Sequence, residues 1–163
     1  MEIHPGRRRI AGFLLAAPVA LVLSSRVARA QAAAVVEVHK SPTCGCCNDW
    51  IRHMQASGFG DVRAFDGGNA KKRAEAGMSL RYGSCHTALI DGYVIEGHVP
   101  AREIKRLLKD RPKALGLAVP GMPLGSPGME VDDGRVDRYD VLLVQKDETA
   151  TVYATYERKA PRS

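Results

Sequence analysis

Val35-Val36-Glu37-Val38-His39-Lys40-Ser41-Pro42-Thr43-Cys44-Gly45-Cys46-Cys47-Asn48-Asp49-Trp50-Ile51-Arg52-His53-Met54 contains the change of period that decides the fold. Residues 35–40 are β-branched and partly alternating, which predicts a strand. Ser41-Pro42-Thr43 breaks it. Cys47, Trp50, Ile51 and Met54 then recur at i, i+3, i+4 and i+7, the stripe of a helix that Gly58 stops. Three cysteines lie between strand and helix. Adjacent Cys46 and Cys47 cannot easily bridge, and a Cys44–Cys46 disulfide would close a small, strained ring. The positive end of a helix favours thiolate over thiol, and thiolates both bind soft metals and attack disulfides. The cluster alone does not separate those two chemistries.

Downstream, Asp61 to Phe65 reads as a second short strand, Gly67-Gly68 as a turn and Ala70 to Ala76 as a short helix ended by Gly77. The triplet Lys71-Lys72-Arg73 reads as a solvated face of that helix. Thr87 to Ile90 and Tyr93 to Ile95 flank Asp91-Gly92, a strong two-residue hairpin signal. Continued pairing would set Ile90 opposite Tyr93, Leu89 opposite Val94 and Cys85 opposite His98. Directly opposed residues have Cβ atoms about 5 Å apart on one face. Cys85 and His98 would then point the same way and His86 the other. Pro100 starts a helix with Ile104, Leu107 and Leu108 as its buried stripe, and Pro112 ends it. Gly116 to Glu130 is rich in proline and glycine, and no regular element is predicted there. Tyr139 to Gln145 and Thr151 to Tyr156 read as a second hairpin, with a frayed end from Arg158 onward. Helices alternating with strands and hairpins predict an α/β fold on a mixed sheet.

The first thirty residues read as an export signal. Arg7, Arg8 and Arg9 precede a 14-residue apolar run, Ile10 to Leu23, and Ala28-Arg29-Ala30 is an A-x-A cleavage pattern. The run is shorter than the roughly 20 residues of a membrane span, so a stable anchor is not expected. Cleavage would leave one domain of residues 31–163, with a core over 35–112 and an extension over 113–157. Net charge is +6, from 24 basic and 18 acidic residues. Five arginines and one glutamate lie in the signal, leaving 19 against 17, a net of +2. That balance, without a basic stripe interleaved with aromatics, gives no sign of a nucleic-acid partner, and none is expected. Outside the cytosol four cysteines could be two structural disulfides, but three clustered cysteines leave poor options for pairing.

Thiolate, thioether and imidazole donors favour Cu(I) or zinc. Zinc sites usually show paired C-x(2–4)-C spacing, which C-x-C-C with the distant Cys85 matches poorly. Adjacent thiolates projecting in different directions suit several Cu(I) ions held by shared sulfurs. Met54 and Met78 read as packing residues. Met122 and Met129 lie in the proline/glycine loop, where ligand and packing roles are both open. His39, His53, His86 and His98 stand as further candidates.

Ser41 to Cys47 with Trp50, Ser84-Cys85-His86-Thr87, Glu96-Gly97-His98-Val99-Pro100, Val119-Pro120-Gly121-Met122-Pro123 and Gly125-Ser126-Pro127-Gly128-Met129-Glu130 together resemble the domain of unknown function 411 family, which includes periplasmic copper-resistance proteins of the CopG type. The likeness runs from about Val35 to Tyr156. It implies a thioredoxin-like fold and copper handling in the periplasm. In that comparison Cys85-His86-Thr87 stands where thioredoxins carry a cis-proline that keeps metals off their thiols. The resulting expectation is an exported copper-binding protein that holds Cu(I) in copper resistance or homeostasis. Its thiolate ligands would be Cys44, Cys46, Cys47 and Cys85, with His98 and Met122 assisting. Its partners would be metal ions and other periplasmic copper-handling proteins. The competing expectations are a periplasmic thiol–disulfide oxidoreductase or isomerase, and a disulfide-stabilised protein without chemistry.

Overall fold

The computed structural model describes residues 1–2 and 35–161. The expected arginine run, apolar run and cleavage site lie outside the described residues. Contacts divide the chain into two units, Met1–Ala30 and Gln31–Ser163, and every element below belongs to the second.

That unit is mixed α/β. In chain order it comprises β1 (Val36–Lys40), α1 (Gly45–Ala56), β2 (Val62–Phe65), α2 (Ala70–Glu75), a 3-10 turn (Leu80–Tyr82), β3 (His86–Ile90), β4 (Tyr93–Glu96), α3 (Ala101–Asp110), β5 (Gly116–Ala118), β6 (Tyr139–Val144) and β7 (Ala150–Tyr156). One seven-stranded sheet runs β2-β1-β3-β4-β5-β6-β7. β1 and β2 pair in parallel, as do β4 and β5; the other neighbours are antiparallel.

The hairpin is where the sequence puts it. Leu89 pairs with Val94 and Ile90 with Tyr93. Asp91 and Gly92 both have positive φ, 49° and 85°, the twist a two-residue turn needs to match its strands. β4 is buried at all four residues because the sheet is covered on both faces. Tyr93 and Ile95 join the larger core with Trp50, Met54, Ile104 and Leu107. Val94, pointing the other way, joins Met78, Tyr82, Ala118 and Val144.

Three expectations need correction. The segment after Pro112 contains a strand, β5, which carries no strong strand signature of its own. It begins on Gly116, where a Cβ would fall 1.7 Å from the carbonyl oxygen of Val94, so only glycine lets the two backbones meet. Arg73 is not solvated: it is buried and paired with Glu96 at 2.9 Å, while Lys71 is exposed as expected. The chain end is not frayed at Lys159, which exchanges two backbone hydrogen bonds with Val136 at 3.0 and 3.1 Å.

Candidate metal centre

The cysteine loop turns directly into α1. The amide of Cys44 donates to the Ser41 carbonyl at 3.1 Å, and Cys44 stands as the N-cap in extended conformation. Cys46 and Cys47 occupy the first helical turn, where backbone N–H groups lack helical partners. Cys44 and Cys47 are joined as a disulfide, with Cα atoms 5.4 Å apart. Here the sequence reading needs correction. It weighed the Cys46–Cys47 and Cys44–Cys46 pairs, yet Cys44-Gly45-Cys46-Cys47 also contains a C-x-x-C pair, which one helical turn brings within bonding reach. Cys46 and Cys85 are free.

The second segment arrives from the start of β3. Cys85 Sγ lies 3.4 Å from Cys47 Sγ and 3.9 Å from Cys46 Sγ, and Cys46 Sγ lies 3.5 Å from Cys44 Sγ. Four sulfurs from two distant stretches therefore lie within 4.8 Å of one another. Cys85 is pushed up to about 12, first by burial and then by Cys46 beside it, so it stays a thiol at neutral pH.

His98 approaches from beyond β4. Strand pairing stops at Thr87 and Glu96, two residues short of Cys85 and His98. One more backbone bond, from the Gly97 amide to the His86 carbonyl at 2.9 Å, carries the approach forward. His98 Nε2 reaches Cys85 Sγ at 2.9 Å. Its Nδ1 faces the Pro127 carbonyl at 2.8 Å, an acceptor, so the proton sits on Nδ1 and the Nε2 lone pair faces the sulfur. Burial holds His98 below the usual imidazole range, which keeps that lone pair free.

His86 departs from the expected alternation. Cys85 lies in a bend ahead of the strand, so the two-residue period does not reach it. His86 Nδ1 instead comes within 3.4 Å of Cys85 Sγ, and its ring meets His98 edge-on, with centroids 5.0 Å apart. Burial, then His98, depresses His86 to about 3.

A buried polar network holds the Cys85 segment. Glu96 accepts from Arg73 Nε at 2.9 Å, from the Ser84 amide at 2.8 Å and from Thr87 Oγ1 at 2.6 Å. The Ser84 carbonyl accepts from Arg73 at 2.8 Å and from Asn69 at 3.0 Å. Burial pushes the Glu96 carboxyl up, and Thr87, Ser84 and Arg73 pull it back. The residues on both sides of Cys85 are thus fixed by partners that make no contact with sulfur. Sequence reasoning missed Arg73 and Glu96, because their pairing across 23 positions leaves no local signal.

The remaining candidates fall in different places. Met54 and Met78 are core residues, as expected. His53 is half-buried rather than exposed, and its Nε2 accepts the first amide of α3, from Ala101, at 3.1 Å. His39 stacks on Phe65 at 4.8 Å. Met122 is 52% exposed. Its loop is tied to the site, since the Gly121 amide donates to the Gly83 carbonyl at 3.0 Å and Ser84 Oγ donates to the Gly121 carbonyl. Gly128 in the same loop lies against α1, where a Cβ would meet the Cys46 carbonyl oxygen at 2.6 Å. No helix among the described residues is long and apolar enough to cross a membrane.

The family described as "Protein of unknown function, DUF411" matches residues 82–129, the stretch that carries Cys85, His86, His98 and Met122. No curated protein matches the chain. A solved structure named "Copper resistance protein copG- Form 2" is 44% identical, covers 76% of this chain and 98% of its own, and superposes with a TM-score of 0.70. A second, named "Copper resistance protein copG- Form 1", is 43% identical over 76% and 97%, with a TM-score of 0.67. The chain belongs to the DUF411 family of CopG-type copper-resistance proteins.

Proposed function

We propose that this protein is an exported, periplasmic copper-handling protein whose reduced cysteine cluster holds Cu(I). The convergence of Cys44, Cys46, Cys47 and Cys85 within 4.8 Å carries the reading. Four thiolates spaced this closely suit Cu(I), which accepts two or three soft ligands and tolerates bridging sulfur. Reducing the Cys44–Cys47 bond brings the cluster to its full set of four. His98, with its lone pair aimed at Cys85, supplies a nitrogen ligand, and Met122, in the loop that Gly121 ties to Gly83 and Ser84, is the candidate thioether. The names of the solved relatives support copper as the cargo. Element order, a βαβαββα core followed by the β5–β7 extension, supports a thioredoxin-like domain over residues 31–163 preceded by a cleaved signal. That fold sets a cysteine loop at a helix start, facing the segment before a hairpin.

The experiment is an anaerobic titration of reduced protein with Cu(I) against a competing chelator. The expected result is tight binding of several copper ions, with stoichiometry lost in C46S and C85S. Binding no tighter than that of a single surface thiol would overturn the reading.

One observation favours a second reading. The Cys44–Cys47 disulfide has C-x-x-C spacing, and the free Cys85 sulfur lies 3.4 Å from Cys47. Transfer of the Cys85 proton to His98 Nε2, 2.9 Å away, would free a thiolate to attack Cys47, forming a Cys47–Cys85 bond and releasing Cys44 as thiolate, the exchange expected of a thiol–disulfide oxidoreductase. Rapid turnover of a disulfide substrate by protein that ignores Cu(I) would establish that reading instead.

A further inference from the structure

His86 is left unused by the thiolate cluster. Its ring is fully buried, packed on Trp50 at 4.4 Å and against the edge of His98. Its Nε2 makes no well-formed hydrogen bond, although the Gly97 backbone lies near enough to act on the ring, and its Nδ1 faces the Cys85 sulfur at 3.4 Å. A buried imidazole left short of partners costs free energy that an apolar side chain of the same shape would not. The neighbourhood explains what the ring is for. His98 Nε2 faces the same sulfur at 2.9 Å, with its tautomer set by the Pro127 carbonyl. Two imidazole nitrogens and one sulfur converge within 4.8 Å.

We propose that Cys85, His86 and His98 form a second, nitrogen-rich metal subsite, which shares Cys85 and His98 with the copper cluster, adds His86, and takes a divalent transition-metal ion. Imidazole with a single thiolate suits zinc and divalent copper better than it suits Cu(I). The spacing agrees. Bond lengths of about 2.3 Å to sulfur and 2.0 Å to nitrogen put sulfur and nitrogen about 3.5 Å apart around a tetrahedral ion. His86 already meets that spacing, and His98 must retreat by about half an ångström. Loading breaks the Cys85 S–H bond, releases the proton to solvent and forms a sulfur–metal bond, with no electron transferred. Cys85 is part-exposed, which leaves the ion a way in.

The subsite also differs from the thiolate cluster in its response to oxidation. The Cys44–Cys47 bond removes two sulfurs from the cluster and none from Cys85, His86 and His98. The oxidised chain therefore keeps one competent metal site. This inference rests on the proposed copper reading only in taking Cys85 and His98 as metal-facing residues.

The test uses Co(II) alone, a spectroscopic stand-in for a tetrahedral divalent ion. The variant C44S/C46S/C47S leaves Cys85 as the sole thiol. Titrated anaerobically, it should bind one Co(II) per chain, with tetrahedral visible bands and a sulfur-to-cobalt charge-transfer band. Adding H86F should weaken Co(II) binding more than roughly tenfold. Equal affinity with and without H86F, or no sulfur-to-cobalt band in the triple variant, overturns the subsite. If the triple variant does not fold, the same titration is run on the otherwise unaltered chain with its Cys44–Cys47 bond intact, with and without H86F, and read by the same criteria. Cu(I) titration of reduced unaltered protein is scored separately. A failed subsite leaves its multinuclear copper stoichiometry in place, and a failed copper reading leaves the Co(II) result in place.

Discussion

Glu96 shows how a single residue shapes the site without touching its sulfurs. It sits fully buried at the end of β4 and gathers Arg73, the Ser84 amide and Thr87 around one carboxylate. Removing one member of a buried ion pair strands the other, at a cost of about 3–5 kcal/mol. E96A is therefore expected to lower stability by that order in urea denaturation, and to weaken Cu(I) retention because Ser84 loses the partner that fixes it. E96Q keeps two acceptor contacts and should lie between E96A and the unaltered chain in both measurements. None of this was legible in the sequence. Lys71-Lys72-Arg73 reads as a solvated charge run, and only a partner on another element reveals that its third member turns inward. Cys85 and His98 were legible, because a two-residue turn at Asp91-Gly92 fixes which residues approach across the hairpin.

At the scale of elements, the cysteine helix is gripped from outside by the loop after β5. Gly128 has φ of 87° and lies against the α1 backbone, so its constraint is both conformational and steric. G128A asks an alanine to adopt a left-handed conformation, at about 1–2 kcal/mol, and drives its Cβ into the Cys46 carbonyl. The expected result is a Tm lowered by several degrees and a looser hold on His98 through Pro127, read as weaker metal binding in the same titration. The strand–loop–helix order around the cysteines was readable because period two gives way to the helical stripe within a few residues. β5 was not, since Gly116-Leu117-Ala118 becomes a strand only because β4 and β6 both pair with it. The C-x-x-C pair was in plain view, hidden by attention to adjacent cysteines. His86 was mis-aimed because strand alternation was extended one residue beyond the strand.

Across the whole molecule, burial keeps the imidazoles of the described residues neutral. His39, His53, His86 and His98 are all lowered from 6.5, with burial the largest cause in each. Below pH 6.5 the unfolded chain takes up these protons while the folded chain resists, down to about 3 for His86. Stability is therefore fully present above pH 6.5 and falls as pH falls through that range, by up to about 1.4 kcal/mol per pH unit for each proton held only by the unfolded chain. Glu96 works the other way. Burial raises its carboxyl, so the folded chain keeps that proton more readily and this one group favours the fold as pH drops. With four lowered imidazoles against the one raised carboxyl, the urea midpoint of metal-free protein is expected to be lower at pH 5.5 than at pH 7.5. H86F should flatten that dependence.

Trp50 is the only tryptophan in the chain, and its indole lies against His86 with its N–H tied to the Val99 carbonyl at 2.9 Å. The indole is pinned at both ends, and its emission comes from a single position against His86, whose Nδ1 faces the Cys85 sulfur. Light from this one ring will therefore dim or shift as ions arrive, so occupancy can be followed in real time without attaching a dye.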